Sequence, residues 1–238
     1  MNNQIFSIII PAYNEEKYLL KTLLSAKNTA EKMDVAGEII VVDNNSTDKT
    51  AEIARDFGVK VIFEEHNQIA KARNSGARVA KGEYFIFLDA DTILSPELLS
   101  IALKNLSSGY CCGGGCKIKM DRELSFINQK FLNFWNSISG KNSFAAGCFI
   151  YCTRKGFEEI GGFSEKVYAS EEIWFSRDLR KWGKKQNLDF KIITDVSIIT
   201  SGRKLDNQFK LWSSMLIILF FPFAVFFRRM CSHWYKKG

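Results

Sequence analysis

Proline and histidine are scarce in this 238-residue chain, with three of the first and two of the second. So little proline, with 16 glycines that follow no three-residue period, excludes a collagen-like fibre and a proline-rich disordered chain. The histidines, His66 and His233, stand in neither a triad-like nor a metal-ligand setting and are read as surface residues. No Gly-x-Gly-x-x-Gly follows the first apolar run and no P-loop pattern occurs, so neither glycine-rich device for binding phosphate is present. Residues 1–6 lack the basic and apolar regions of a signal peptide. Six cysteines in a chain this long make no disulfide framework. Cys111, Cys112, Cys116, Cys148 and Cys152 lie in apolar, strand-like text with no histidine near, so buried thiols in a reducing, cytosolic compartment are the expectation.

What is present is ordinary globular composition, 46% hydrophobic and 25% charged, enough for one large domain or a domain with an appendage. The net charge of +7 is concentrated at one end: residues 202–238 hold seven basic residues against the single acid Asp206. The body therefore carries no broad positive footprint for nucleic acid, and none is expected as a partner.

Short apolar runs alternate with amphipathic stretches through the first half. Strands are expected at residues 5–10, 38–42, 59–63 and 84–88. Helices are expected from an Asn14 cap with Glu15 and Glu16 in the first turn, from a Ser46 cap over 47–57, over 68–80, and from Ser95 with Pro96 and Glu97 behind it. Strand–helix–strand repetition with such short connections implies an α/β fold whose mostly parallel sheet is covered by helices on both faces. After Tyr110 come a glycine-containing apolar run, an aromatic stretch over 126–135, another strand-like run at 144–151 and an acid-headed helix from Glu171. No linker separates the halves, so residues 1–205 read as one domain of two lobes, 1–108 and 109–205.

In an open α/β sheet ligands bind beyond the carboxyl ends of the strands. There the chain places Pro11, Ala12, Tyr13, Asn14 and Glu15, then Asp43, then Asp89 and Asp91. If the strand stays extended, Asp89 and Asp91 point to the same side. Two such carboxylates suit Mg²⁺ or Mn²⁺, whose remaining positions go to water and substrate phosphate oxygens; they equally suit a solvated strand end.

Four segments, FSIIIPAYNEE at 6–16, IIVVDNNSTDKT at 39–50, ARNSG at 72–76 and GEYFIFLDADT at 82–92, resemble in order and spacing the family 2 nucleotide-sugar glycosyltransferases of the GT-A fold. The likeness spans about the first 105 residues. It implies a Rossmann-like catalytic domain in which Pro11, Ala12, Tyr13 and Glu15 line the nucleoside pocket and Asp43 reads the base. Asp89 would lie near the ribose, Asp91 would be the metal ligand with Asp89 beside it, and the cofactor would be a divalent cation. Asn44 and Asn45 stand where many members have Asp and Gly. Arg73 and Asn74 match a family motif, with Arg73 a candidate for donor binding, or serve as packing contacts. Gly161, Gly162 and Phe163 followed by Ser170, Glu171 and Glu172 resemble the family's downstream acidic pair, whose second member, usually Asp, is the catalytic base. Glu171 and Glu172 would also suit a first helical turn for stability alone. Arg203, in a Ser-x-Arg segment like that of smaller members, faces the donor diphosphate or is a solvated tail charge.

Residues 211–227 are uncharged and apolar on every face. As a helix they would reach about 26 Å, short of a roughly 30 Å hydrocarbon core. The expectation for 206–238 is an apolar C-terminal helix lying in a membrane surface, with Trp234 and Tyr235 at headgroup level, on the cytoplasmic side; a helix buried in a homodimer is the alternative. The combined expectation is metal-dependent, inverting transfer of a sugar to a glycan or lipid-linked hydroxyl, or to a polyprenyl phosphate. A nucleotidyltransferase and a non-catalytic membrane-docking module are the rivals.

Overall fold

The structure, a computed structural model, describes residues 5–142 and 144–205. Every expectation for the C-terminal helix and its membrane or dimer contacts lies outside the described residues. In chain order the elements are β1 (Phe6–Ala12), α1 (Leu19–Ala30), β2 (Gly37–Asp43), α2 (Thr50–Asp56), β3 (Lys60–Phe63), α3 (Ile69–Val79), β4 (Tyr84–Leu88), β5 (Thr92–Ile93) and α4 (Pro96–Ser107). There follow β6 (Cys111–Met120), α5 (Phe126–Asn142), β7 (Phe149–Thr153), α6 (Arg154–Ile160), α7 (Glu171–Lys185), β8 (Asp189–Thr200) and a 3₁₀ turn, Gly202–Leu205.

One sheet runs through both halves in the order β3-β2-β1-β4-β7-β6-β8-β5. Its first four strands are parallel, and beyond β4 the sheet is mixed: β7 runs antiparallel to β4 and β6, whereas β6 and β8 are parallel. Alternation along β1 explains the two layers. Phe6, Ile8, Ile10 and Ala12 face a core with Leu19 and Leu23 of α1 and Leu98, Leu99 and Ala102 of α4. Ile9 faces the opposite core, with Phe85 and Phe87 of β4, Ala72 of α3, Phe157 of α6 and Phe175 of α7. In this second core Phe163 stacks on Phe175 at 4.2 Å between centroids and meets Phe87 edge-on at 4.9 Å, which fixes the approach to α7.

Two helices begin later than expected. Asn14 adopts a left-handed φ of 52° and α1 starts only at Leu19; α2 starts at Thr50, not residue 47. The cause is a lattice of hydrogen bonds between the two strand-end loops. The Asn14 amide donates to Ser46 Oγ, the Glu15 amide to Thr50 Oγ1 and the Glu16 amide to Asp48 Oδ2, while the Thr47 amide donates back to Asn14 Oδ1. Side chains and amides placed as helix caps are used to clamp one loop to the other.

The five described cysteines are buried, as the apolar setting implied. Burial pushes the Cys112 and Cys116 thiols up to about 12.

The glycine run of β6 has a packing cause. A Cβ on Gly114 would strike the Lys191 carbonyl of β8 and come within 2.7 Å of the Tyr151 hydroxyl, which itself donates to that carbonyl. Gly114→Ala is expected to destabilise the fold by about 1–3 kcal/mol or more through overpacking. Urea unfolding checks this, and an unchanged midpoint would mean that the β6–β8 contact is not tight.

Candidate active site at the carboxyl edge of the sheet

Register brings the expected residues to one edge. Ala12 of β1 pairs with Asp43 of β2, and the β4 neighbour of β1 runs on directly into Asp89. Pro11 and Ala12 are buried at the end of β1 and Tyr13 lies partly exposed just beyond. Asp43 is buried and its Oδ1 accepts from the Ser46 amide at 3.0 Å, an Asx turn that orients the carboxylate at the strand end.

Asp89 and Asp91 part company. The chain turns between them, with the Thr92 amide donating to the Asp89 carbonyl at 3.2 Å, so the extended run that would set both on one side is absent. Asp89 Oδ1 accepts from Arg73 Nη2 at 3.1 Å, and Asp91 Oδ2 accepts from Arg203 Nη2 at 2.8 Å.

Each arginine organises a centre. Arg73 of α3 is 1% exposed, donates from Nη1 to Glu171 Oε1 at 2.6 Å and from Nη2 to the Gly147 carbonyl at 2.8 Å, and lies over the Phe163 ring. It thereby joins β4, the loop before β7 and the first turn of α7. Burial works against its charge, but Glu171 and then Asp89 outweigh that and raise its pKa. Arg73 is therefore a buried tie beneath the site. Gly147 leaves it room, since a methyl there would stand 3.3 Å from Nη2 and 3.7 Å from the Glu172 carboxyl carbon.

Arg203 is brought in from the far end of the sheet. Thr92 of β5 pairs with Thr200 of β8 through their hydroxyls at 2.9 Å, and the Ser201 amide donates to the Asp91 carbonyl at 3.1 Å. The Gly202 amide donates to Asp121 Oδ1. From this turn Arg203 reaches over the Tyr18 ring, and its Nη2 contacts Glu15 Oε1 at 2.6 Å as well as Asp91. Its guanidinium stands where a cation is wanted between two carboxylates, so the donor set of hard oxygens fits a divalent cation of the Mg²⁺ or Mn²⁺ type. Among the described residues no three His, Cys, Asp or Glu side chains group as a metal cage, so water and substrate oxygens would have to complete such a shell.

Glu171 and Glu172 open α7 behind Ser170, which sits at the cap position but in a left-handed conformation without a side-chain capping bond. Glu171 is committed to Arg73. Glu172 keeps part of its side chain accessible, yet burial first, and the neighbouring Glu171 second, push its carboxyl up to about 8. Gln68 was not singled out in the sequence, whereas Asn74 was expected to match a family motif or to serve as a packing contact. Gln68 Nε2 donates to the Glu165 and Val167 carbonyls, and Asn74 both donates to the Phe163 carbonyl and accepts from the Phe163 amide.

The family model described as "Glycosyl transferase family 2" matches residues 7–161. A glycosyltransferase of Haemophilus influenzae, described as uncharacterized, is 40% identical over 105 residues, 42% of this chain and 41% of its own. The undecaprenyl-phosphate 4-deoxy-4-formamido-L-arabinose transferase of Edwardsiella ictaluri is 28% identical over 162 residues, 63% of this chain and 49% of its own. The matched stretch thus spans less than half the length of either relative. Among solved structures, a mannosyltransferase from Pyrobaculum calidifontis in complex with GDP-Man and Mn²⁺ superimposes with a TM-score of 0.69 at 22% identity, covering 88% of this chain and 59% of that one. That likeness bears out the GT-A fold.

Two outcomes follow from the electrostatics. Arg73→Ala strands Glu171 as a buried, uncompensated charge and should cost about 3–5 kcal/mol in urea unfolding; a loss below about 1 kcal/mol would refute the tie. For Glu172 the sign runs the other way. Its folded value of about 8 lies above the ordinary 4.5, so the penalty is absent below pH 4.5, grows as pH rises and is complete above pH 8. Glu172→Gln should therefore melt higher than the parent above pH 8, by roughly 2–4 °C per kcal/mol relieved, and lose that advantage towards pH 4.5. A gain that is flat with pH would contradict the raised carboxyl.

Proposed function

The chain belongs to glycosyl transferase family 2, and from that premise we propose that it moves a sugar from a nucleoside-diphosphate donor to an acceptor hydroxyl with inversion at the anomeric carbon. The observation that carries this reading is the placing of Asp43, Asp89 and Asp91 along one sheet edge, with Glu171 tied to Asp89 through Arg73 and Glu172 next to it in the first turn of α7.

Asp43 and the end of β1 would receive the nucleoside, and Asp89 would face its ribose. Asp91 would hold a divalent cation; the Pyrobaculum enzyme, named with GDP-Man and Mn²⁺, supports that choice by analogy. When bound, such a cation neutralises charge gathering on the departing diphosphate. Arg203, bonded to Glu15 and Asp91, would suit the diphosphate oxygens through its planar donor pair. Glu172, ionised, would take the proton from the acceptor hydroxyl as its oxygen attacks the face opposite the diphosphate. Glu171 cannot share that task, because its carboxylate is committed to Arg73.

A second reading has one support. The Edwardsiella relative is named for an undecaprenyl-phosphate acceptor, which is already anionic and needs no base. Residues 211–227, outside the described residues, would suit either acceptor by keeping the enzyme at the cytoplasmic face of a membrane. Among the described residues no helix is long and apolar enough to cross one.

Donor turnover across UDP- and GDP-sugars with added Mn²⁺ tests the reading. Asp91→Asn and metal chelation should each lower the rate by roughly 10²–10³, with nucleoside diphosphate as product. Release of pyrophosphate would favour a nucleotidyltransferase, and no binding of nucleoside diphosphate a docking module. Glu172→Gln should cost about 10²–10⁴ in kcat with a hydroxyl acceptor; full activity would point to the phosphate acceptor.

A further inference from the structure

We infer that the protein's share of the divalent-cation site is the pair Glu15 and Asp91, not Asp89 and Asp91, and that the Arg203 guanidinium occupies this site until the cation displaces it. The inference rests on the reading of this edge as the centre that holds a donor diphosphate.

A single nitrogen, Arg203 Nη2, lies 2.6 Å from Glu15 Oε1 and 2.8 Å from Asp91 Oδ2. The two carboxylates come from different loops, one after β1 and one after β4, and their side chains are only 7% and 3% exposed. Two such anions converging on one point away from bulk water repel each other, and a cation between them offsets that cost. Their oxygens are the hard ligands that Mg²⁺ and Mn²⁺ prefer.

Asp89 is engaged elsewhere, its Oδ1 accepting from Arg73 Nη2 at 3.1 Å. Its partner Arg73 is 1% exposed and fixed at the same time by Glu171 and the Gly147 carbonyl. Arg203 is held quite differently. It hangs from a four-residue 3₁₀ turn, its side chain is 22% exposed, and its ring contact is with Tyr18 at the lip of the site. It can therefore swing away by side-chain rotation alone, whereas Arg73 cannot.

Two consequences follow. In the absence of nucleotide the cation competes with a resident guanidinium, so its apparent affinity is reduced by the fraction of molecules in which Arg203 has vacated the pair. When a nucleoside diphosphate arrives, its oxygens offer Arg203 a new partner at the moment the carboxylates are surrendered, so cation and diphosphate bind with positive coupling.

The test is calorimetric titration of the whole chain with Mn²⁺ alone, and then with Mn²⁺ in the presence of UDP or GDP. Arg203→Gln should tighten binding of Mn²⁺ alone by roughly tenfold or more and shrink the benefit of added nucleoside diphosphate. Adding Glu15→Gln to that variant should cancel the gain, and Asp89→Asn should leave the affinity for Mn²⁺ alone within about twofold, a change too small to mark a lost ligand. Removing a merely structural arginine would not tighten a metal site. Should Arg203→Gln melt at a much lower temperature, Arg203→Lys, which keeps a charge but loses the planar fork, should fall between the two in Mn²⁺ affinity. Unchanged or weaker Mn²⁺ binding in Arg203→Gln, indifference to Glu15→Gln, or an Asp89→Asn loss as large as that of Asp91→Asn overturns the inference. Because no sugar donor is present, failure here with donor turnover intact removes only the ligand assignment; the stated Mn²⁺ behaviour without turnover of any nucleotide sugar removes only the proposed function.

Discussion

Crowding of negative charge at one sheet edge is the constraint around which the rest is arranged. Glu15, Asp89, Asp91, Glu171 and Glu172 gather in a region where several are almost wholly withdrawn from water. An uncompensated buried carboxylate is costly enough to unfold a marginal domain. Two arginines answer the problem in different ways. Arg73 neutralises Glu171 and Asp89 from within the fold, and Arg203 neutralises Glu15 and Asp91 from the rim. The first is a structural counter-ion whose bonds all go to protein, and the second is a counter-ion that a ligand can replace.

The scaffold makes such crowding tolerable by leaving its loops little freedom. The loop after β1 is bonded amide by amide to the loop after β2. The segment before α7 is bonded to α3 through Gln68 and Asn74, and packed through Phe163 against Phe175 and Phe87. Strand ends alone would leave these loops to move apart under mutual repulsion. Cross-loop hydrogen bonds, each worth about 0.5–1.5 kcal/mol net, together with a stacked aromatic cluster, hold the acids together at one edge of the sheet.

Much of this was legible in sequence. The first four strands follow from apolar runs whose alternate residues face two cores, and the acids at their ends are where an α/β sheet puts its chemistry. What misled was local grammar that tertiary bonding overrides. Asn14 and Ser46 look like helix caps, yet each finds its partner in the other's loop. Asp89 and Asp91 look like a converging pair, yet a turn between them sends their carboxylates to different arginines. The position of Arg203 depends on β8 pairing with β5, a contact over 108 residues that no local pattern encodes. Arg73 was expected either to bind the donor or to serve as a packing contact, and its partners Glu171, Asp89 and the Gly147 carbonyl, distant in sequence, are what no local pattern encodes.

Glu172 shows how the same charge balance bears on chemistry. Burial and the neighbouring Glu171 push its carboxyl up to about 8, which favours the neutral form in the unloaded protein. For a base that is a handicap in the free enzyme, but a higher pKa also makes the ionised form a stronger proton acceptor, and the two effects trade off as the pKa nears the working pH. The ligands then tip the balance. Under the proposed function a divalent cation at Asp91 would add positive charge and favour an ionised Glu172. An anionic phosphate acceptor adds negative charge and favours the neutral acid, which could only donate a hydrogen bond to it. Under the proposed function the charge of the acceptor would decide whether Glu172 works as a base or as a donor, and that balance is set first by burial and then by Glu171, with Arg73 acting against both.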